Sequence, residues 1–349
     1  MTFRNYALTL VLPVTILFGR PEIVVGDESA APPTAETSAK PGPYAVATRL
    51  VDWFDESRDR KVPAKIYYPE SGEGPFPVIV FSHGLGGSRE GYGYLGRHWA
   101  SQGYVSVHPQ HLGSDDTAWR GVALRDVMAT MQKAANVENF IARPKDVSFV
   151  IDQLEKLNAA EDDPLAGNLD LKRVGMAGHS FGARTTMAIA GEIYALPGGR
   201  EISFGDARVK AAIAMSPMPS QIVAQQEIAY QRITIPTMHL TGTLDTSPIE
   251  KGRTAAERLV PYEKTPGEHH YLINFQGGDH MIFSGRPRGL RDILGDPSKD
   301  AAFQSLILQA TTAFWDAWLK DSAESRAWLT AESGGLKERL GDEADYRWK

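Results

Sequence analysis

The chain has 349 residues, of which 42% are hydrophobic and 23% charged, an ordinary composition for a globular protein with a sizeable core. Its formal net charge of −6 and the lack of a basic stripe argue against nucleic acid as a partner. The sequence contains no cysteine, which excludes disulfides, thiolate catalysis, cysteine–metal sites and a lipoprotein anchor.

The N-terminal segment has the pattern of a targeting sequence. A basic residue, Arg4, precedes an apolar run from Ala7 to Phe18, which Pro13 interrupts and which is too short to span a bilayer comfortably. We predict a signal peptide over residues 1–26, and therefore a secreted or periplasmic protein without a stable membrane anchor.

The next segment changes composition and leads into regular structure. Residues 27–43 are rich in Ala, Pro, Thr and Ser and predict a flexible linker, so we expect the catalytic domain to cover residues 44–349. Two strand-like runs on either side of a charged turn at Glu56–Arg60 predict an antiparallel hairpin.

Strands and helices then alternate along the chain. Apolar runs that end in glycine or a polar loop predict buried strands, and runs with helical spacing predict helices. In order, these are FPVIVFS, the helix YLGRHWASQG, the strand YVSVHPQH, an insertion at Thr117–Asn139, the helix DVSFVIDQLEKLN, the strand RVGMAG, the strands Val209–Met215 and Ile235–Thr241, the strand HHYLINFQ, the helix AAFQSLILQATTAFWDAWL and one more helix after Lys320. This alternation predicts an α/β fold, with a mostly parallel sheet covered by helices on both faces.

One serine interrupts this pattern at a strand-to-helix turn. Gly178-His179-Ser180-Phe181-Gly182 follows an apolar strand, precedes a helix pattern and matches the G-x-S-x-G nucleophile elbow. The turn exposes the serine hydroxyl, and Gly178 and Gly182 remove the side chains that would clash there. We therefore predict that Ser180 is a nucleophile.

A serine nucleophile needs a base, and the base needs a carboxylate that orients it, in the chain order Ser, acid, His. Asp245 and His280 both lie in loops at the carboxyl ends of predicted strands, where open α/β sheets have their active sites. We predict Asp245 as the acid and His280 as the base. Asp279 is the rival acid, but sequence neighbours rarely orient each other's ring.

The remaining parts of the site are predicted from their loops. The Phe181 amide and the Leu85 amide, which follows the turn at Gly84, are expected to form an oxyanion hole. The candidates for the substrate pocket are His179, Tyr92, Tyr94, Trp119 and Met281. His108, His111 and Asp115 could be metal ligands, but their spacing favours hydrogen-bonded residues, and we predict neither a metal nor a cofactor.

The motifs FSHGLGG, GHSFG and GGDH together resemble platelet-activating-factor acetylhydrolase-like and dienelactone-hydrolase-related esterases of the α/β-hydrolase superfamily. The resemblance runs from about Arg49 to Leu319 and implies a serine esterase of the α/β-hydrolase fold. It departs at the acid, which the animal acetylhydrolases carry after the strand that follows the elbow helix. Here that position is Ser216, so the acid moves to Asp245, as in dienelactone-hydrolase and cutinase-type sites.

The sequence therefore predicts a serine carboxylester hydrolase that acts through an acyl-enzyme on a small-molecule or polymeric ester. A polyester or lipid ester, such as the acetyl ester of a phospholipid, remains open as the substrate. Two other classes also remain open. One is a serine peptidase of the prolyl-oligopeptidase type, although such enzymes usually carry a large extra domain. The other is a non-catalytic binding module on the same scaffold.

Overall fold

The computed structural model describes residues 39–196, 198–250, 252–286, 288 and 294–349. The predicted signal peptide, residues 1–26, and most of the predicted linker, residues 27–43, lie outside the described residues. At the described end of this linker, the Gly42 amide donates a hydrogen bond to Ser101 Oγ at 2.9 Å. A Cβ on Gly42 would lie 1.9 Å from the Ser101 carbonyl oxygen, so this close approach requires glycine.

The strands follow the predicted alternation and most of them join one sheet. They are β1 (Val46–Asp55), β2 (Arg60–Pro69), β3 (Phe76–Ser82), β4 (Val105–Pro109), β5 (Leu169–His179), β6 (Ile193–Leu196), β7 (Arg200–Ser203), β8 (Val209–Met215), β9 (Thr237–Gly242), β10 (His270–Phe275) and β11 (Ala344–Trp348). Within the described residues, nine of them form one sheet in the order β1-β2-β4-β3-β5-β8-β9-β10-β11. The pairs β1–β2, β2–β4 and β10–β11 are antiparallel and the other pairs of this sheet are parallel. The predicted N-terminal hairpin, β1–β2, is confirmed.

Helices cover both faces of the sheet. They are α1 (Gly93–Ser101), α2 (Val127–Ala134), α3 (Val137–Asn158), α4 (Phe181–Ala190), α5 (Val223–Ala229), α6 (Val260–Lys264), α7 (Asp300–Leu319), α8 (Ala323–Thr330) and α9 (Leu336–Leu340). On one face Trp99 of α1 meets Trp315 of α7, with ring centroids 6.0 Å apart. On the other face Ile151 of α3 packs in the same cluster as Val80 of β3, whereas Phe81 packs with Trp99. This alternation along a fully buried strand confirms the predicted α/β fold with helices on both faces.

The insertion predicted at Thr117–Asn139 contains a short 3-10 turn, helix α2 and the start of α3. Helix α3 begins before the predicted run DVSFVIDQLEKLN because the Asn136 side chain caps it, accepting from the Asn139 amide at 2.8 Å. Helix α2 is tied to the loop after β9, since Gln132 Nε2 donates to the Ile249 carbonyl oxygen at 3.0 Å. The insertion therefore reaches across the carboxyl ends of the strands.

The prediction of a single further helix after Lys320 is wrong. The chain instead forms α8 and α9 and returns as β11, which pairs antiparallel with the edge of β10. Ala344 and Tyr346 face the core, and the Tyr346 hydroxyl donates to the Leu329 carbonyl oxygen at 2.7 Å. The β11 segment is too short and too charged for the alternation of core-facing and solvent-facing residues to be recognised in its sequence. Its conformation is determined by pairing with the edge of β10. Among the described residues, no helix combines the length and the apolar character that crossing a bilayer requires.

Candidate active site

The turn between β5 and α4 holds Ser180 in a conformation that few residues adopt. Its φ is 57° and its ψ is −114°, which costs about 1–3 kcal/mol for a residue other than glycine. A Cβ on Gly178 would lie 2.4 Å from the Gly182 carbonyl oxygen, and a Cβ on Gly182 would lie 1.9 Å from the Ser82 carbonyl oxygen. Both glycines are therefore required for the close approach of this turn to β3.

The structure brings Ser180, His280 and Asp245 together, although 35 residues separate His280 from Asp245 and 100 separate it from Ser180. Ser180 Oγ and His280 Nε2 lie 2.9 Å apart, and His280 Nδ1 and Asp245 Oδ1 lie 2.8 Å apart. Because a carboxylate only accepts hydrogen bonds, Nδ1 carries the proton. Nε2 is then free to accept the proton of the Ser180 hydroxyl.

Several donors surround the Asp245 carboxylate, which is completely buried. Ser216 Oγ donates to Oδ2 at 2.5 Å and Thr241 Oγ1 donates to the same atom at 3.0 Å. Burial alone would raise the pKa of this carboxyl, but Arg258, His280 and Ser216 outweigh burial and lower the pKa to about 2. Asp245 is therefore ionised at every pH at which an ester would be assayed.

Arg258 is the residue near this carboxylate that the sequence analysis missed. Only 2% of the residue is exposed, and Nε lies 2.8 Å from Asp245 Oδ1 and donates to the Asp245 carbonyl oxygen at 2.6 Å. Nη1 donates to the Ser216 carbonyl oxygen at 2.7 Å. Nη2 approaches His280 Nδ1 at 3.2 Å, which is a contact between two donors because Nδ1 already donates to Asp245. Arg258 lies in the short 3-10 helix Ala256–Leu259 before α6, and a single arginine there carries no motif that would have revealed this contact.

The two amides predicted to bind an oxyanion border Ser180. Leu85 lines the same cavity as Ser180, and a Cβ on the preceding Gly84 would lie 3.5 Å from the Ser180 Cβ. Phe181 is the first residue of α4, where helix geometry leaves the amide without an intrahelical partner. Within the described residues, neither the Leu85 nor the Phe181 amide donates a hydrogen bond.

A cavity of about 230 Å³ opens beside Ser180 and His280. Its wall is mostly apolar and comes from the loop between β3 and α1, α2, the loop after β9 and the turn after β10, with Leu85, Val127, Met128, Met131, Ile249 and Met281. A smaller cavity of about 60 Å³ lies on the other side of Ser180 and contains charged groups of Arg184, Glu250 and Arg258. Ser180 and Ile249 line both cavities.

Three of the five predicted pocket residues line the larger cavity, namely His179, Tyr92 and Met281. The His179 and His280 ring centroids lie 4.6 Å apart, and the Tyr92 hydroxyl bonds to His179 Nδ1 at 2.7 Å. Burial, together with the nearby His280, holds the pKa of His179 well below its usual range, so this ring is neutral. His179 and Tyr92 therefore support the His280 ring from the side.

Tyr94 and Trp119 do not line this cavity, and their prediction as pocket residues is corrected. The Tyr94 hydroxyl donates to the Phe283 carbonyl oxygen at 3.0 Å, and its ring packs on Gly285. Trp119 Nε1 donates to the Gly86 carbonyl oxygen at 2.9 Å, which connects the insertion to the loop between β3 and α1. Both aromatic side chains therefore donate a hydrogen bond to a backbone carbonyl oxygen of a neighbouring loop.

The remaining candidates for metal binding or for the acid have other partners. Among the described residues, no group of three or more His, Cys, Asp or Glu side chains could hold a metal ion. His111 instead bonds to Ser82 Oγ at 2.9 Å and to Asp146 Oδ2 at 3.0 Å, and Gln110 donates to Asp115. Asp279 caps the turn after it and pairs with Arg288, so its carboxylate is engaged away from the His280 ring.

The predominantly parallel sheet and the strained serine turn between β5 and α4 define an α/β-hydrolase. Comparison with family models narrows the class, because the model described as chlorophyllase matches residues 34–218. The chain belongs to this chlorophyllase family. The matched region contains Ser180 and both predicted oxyanion amides but ends before Asp245 and His280.

The chain is also similar in sequence, at low identity, to a curated relative. The platelet-activating factor acetylhydrolase of Cavia porcellus is 25% identical over 286 residues, which cover 74% of this chain and 61% of the relative. The chain thus spans about three-fifths of the length of that relative.

Proposed function

We propose that the protein is a serine carboxylester hydrolase. The observation that carries this proposal is the hydrogen-bond relay from Ser180 through His280 to Asp245, with 2.9 Å and 2.8 Å between the successive atoms. Its membership of the chlorophyllase family and its similarity to an acetylhydrolase support ester hydrolysis as the general chemistry. No step of this mechanism requires a cofactor.

In the proposed reaction the Ser180 oxygen attacks the carbonyl carbon of the ester while its proton moves to His280 Nε2. Asp245 holds the ring through Nδ1 and stabilises the imidazolium that forms. His280 then gives the proton to the leaving alcohol, which breaks the carbon–oxygen bond and leaves an acyl group on Ser180. Water, deprotonated by the same ring, cleaves this acyl-enzyme.

The carbonyl oxygen gains negative charge in this attack and needs donors that are already in place. The amides of Leu85 and Phe181 are proposed for this role because both border Ser180 and both lack another acceptor among the described residues. The N-terminus of α4 adds a favourable dipole at the same point.

The walls of the larger cavity favour an ester with an apolar portion. Met131, Met128 and Val127 of α2 contribute to that wall, so the insertion helps to set the substrate range. A lipid ester or a polyester segment fits this description, and so does a small aliphatic ester. A panel of p-nitrophenyl esters of increasing chain length, assayed beside a polyester film and an acetylated phospholipid, distinguishes among them.

The decisive experiment compares the wild type with Ser180→Ala, using the exposed Ser203→Ala as the matched control. We expect Ser180→Ala to lose on the order of 10⁴-fold or more in ester hydrolysis, and to lose labelling by a fluorophosphonate probe, while Ser203→Ala keeps both. Retained turnover in Ser180→Ala would refute the mechanism. An unlabelled, inert wild type would favour the binding module, and cleavage of peptides in preference to esters would favour the peptidase.

Secretion is also a proposal, motivated by the apolar run of the first 26 residues. Mass spectrometry of the mature N-terminus tests it. A protein that retains its first residues in its native host would rule it out.

A further inference from the structure

A buried guanidinium lies directly under the loop that carries the proposed oxyanion donor Leu85. Arg143 of α3 is completely buried. Its Nη1 donates to the His83 carbonyl oxygen at 2.6 Å, and its Nη2 lies 3.4 Å from the Gly84 carbonyl oxygen. Its Nε donates to Ser114 Oγ at 2.9 Å, which fixes the guanidinium plane from the opposite side.

Several groups contact the Gly84 carbonyl oxygen, and its orientation sets the direction of the Leu85 amide, which belongs to the same peptide unit. Besides Arg143, the His83 Nδ1 atom lies 2.6 Å from this oxygen and the Gly87 amide donates to it at 3.1 Å. Because a trans peptide is planar, its N–H points opposite to its C=O. Fixing the Gly84 oxygen therefore fixes the direction of the Leu85 N–H.

The same cation contacts the residue that carries the second proposed donor. The central carbon of the Arg143 guanidinium lies 4.5 Å from the centroid of the Phe181 ring, within the range of a cation–π contact. One side chain thus contacts the loop of the first amide and the residue of the second, and it couples their positions.

The charge of Arg143 is not neutralised by a direct ion pair. Among the described residues, it donates to carbonyl and hydroxyl oxygens, and no carboxylate bonds to it. Its Nη2 also lies 3.4 Å from His83 Nδ1, which is a contact between two donors because Nδ1 donates to the Gly84 carbonyl oxygen. Burial lowers its pKa to about 9, and the more distant Asp146 offsets part of this effect. Arg143 therefore remains a cation at neutral pH, close to where negative charge would develop.

We propose that Arg143 is a positioning residue that holds the Leu85 and Phe181 amides in the geometry required by a tetrahedral oxyanion. The inference rests on the proposed function, because without acyl transfer there is no oxyanion to bind. It assigns a role in catalysis to a side chain of α3 that touches neither the substrate nor the Ser180–His280–Asp245 relay.

The test separates oxyanion binding from general stability. We expect Arg143→Met to lower kcat about 10- to 100-fold with little change in KM, because loss of a whole oxyanion donor costs about 10²- to 10³-fold. An alkyl trifluoromethyl ketone, which forms an oxyanion on the serine, should lose affinity by the same factor, while the matching methyl ketone should not. Arg143→Lys should recover part of kcat, since one ammonium can still reach the His83 carbonyl oxygen.

The control is Arg60→Met, which removes a neighbouring arginine that binds Asp146 and the Leu112 carbonyl oxygen but not the loop that contains Leu85. It should leave kcat and the ketone affinities unchanged. If Arg143→Met does not fold, Ser114→Ala replaces it, since it frees one side of the guanidinium and should weaken trifluoromethyl ketone binding severalfold.

An unchanged trifluoromethyl ketone affinity in the folded Arg143 or Ser114 variants, or an equal loss in Arg60→Met, would overturn the inference. These outcomes differ from failure of the proposed function itself. In that case the wild type would not hydrolyse esters, or Ser180→Ala would retain activity. Wild-type turnover that depends on Ser180 but not on Arg143 would refute the positioning role of Arg143 and leave the proposed esterase function intact.

Discussion

Glu192 is a buried acid outside the proposed reaction, and replacing it with glutamine should stabilise the protein above neutral pH. The residue follows α4 and is only 7% exposed. Burial raises the pKa of its carboxyl from the ordinary value of 4.5 to about 7, and the neighbouring Tyr194 and Arg184 offset only part of this rise. The folded chain therefore holds this proton more tightly than the unfolded chain does.

The sign and the size of the effect follow from this difference. Below about pH 4.5 the carboxyl is protonated in both states and contributes no pH dependence. Between about pH 4.5 and 7 the unfolded chain loses the proton first, so stability falls as the pH rises, and above pH 7 the loss is complete. A pKa difference of about 2.5, at 1.36 kcal/mol for each pKa unit, corresponds to about 3 kcal/mol.

Glutamine cannot ionise and avoids this loss. We expect Glu192→Gln to raise the free energy of unfolding by about 3 kcal/mol at pH 8 and to leave it nearly unchanged at pH 4. Urea unfolding followed by circular dichroism at both pH values measures this, with the exposed Glu268→Gln as the matched control. An equal effect of Glu192→Gln at both pH values, or none at pH 8, would refute the reasoning.

Three further predictions concern the candidate site. Asp245→Asn should lower kcat/KM on the order of 10⁴-fold because an amide favours the wrong tautomer of the base, whereas Asp279→Asn should cost less; the opposite ranking in a p-nitrophenyl ester assay would identify Asp279 as the acid. Gly182→Ala should destabilise the fold by more than about 4 kcal/mol, since its Cβ would lie 1.9 Å from the Ser82 carbonyl oxygen; a wild-type Tm would contradict the close approach. Met131→Ala should enlarge the apolar cavity and favour longer esters by about fourfold in kcat/KM for each added methylene that is buried; an unchanged chain-length profile would show that α2 does not form the substrate wall.

Much of the fold could be predicted from sequence because its signals are local. β3 is buried on both faces and reads as an unbroken apolar run, FPVIVFS, which ends at the loop that contains Leu85. The elbow glycines are equally visible, since the close approach of backbone at Gly178 and Gly182 leaves no room for a Cβ. Both features are visible within short stretches of sequence, although the backbone that Gly182 approaches, at Ser82, is remote along the chain.

The elements that escaped prediction depend on partners far along the chain. β11 is a strand because the edge of β10 is open to it, which no property of the sequence ADYRW reveals. Arg258 and Arg143 look like surface residues in sequence, yet both are buried and donate to backbone carbonyl oxygens 42 and 60 residues away. Every residue type has a backbone carbonyl oxygen, so the sequence does not show which residues will accept these hydrogen bonds.

The position of the proposed acid has the same explanation. Ser216 directly follows β8, and Asp245 lies in the loop after β9. Ser216 Oγ lies 2.5 Å from Asp245 Oδ2, so both strand ends converge on one point beside His280. A carboxylate at either end could reach the imidazole, and an acid can therefore move between the two strands as long as the other supplies a hydrogen-bond donor. Arg258 binds the carbonyl oxygens of both residues and holds the two ends together. These hydrogen bonds from Arg258, and not a motif around Asp245, position the carboxylate. For this reason, the acid has the weakest sequence signal of the three residues Ser180, His280 and Asp245.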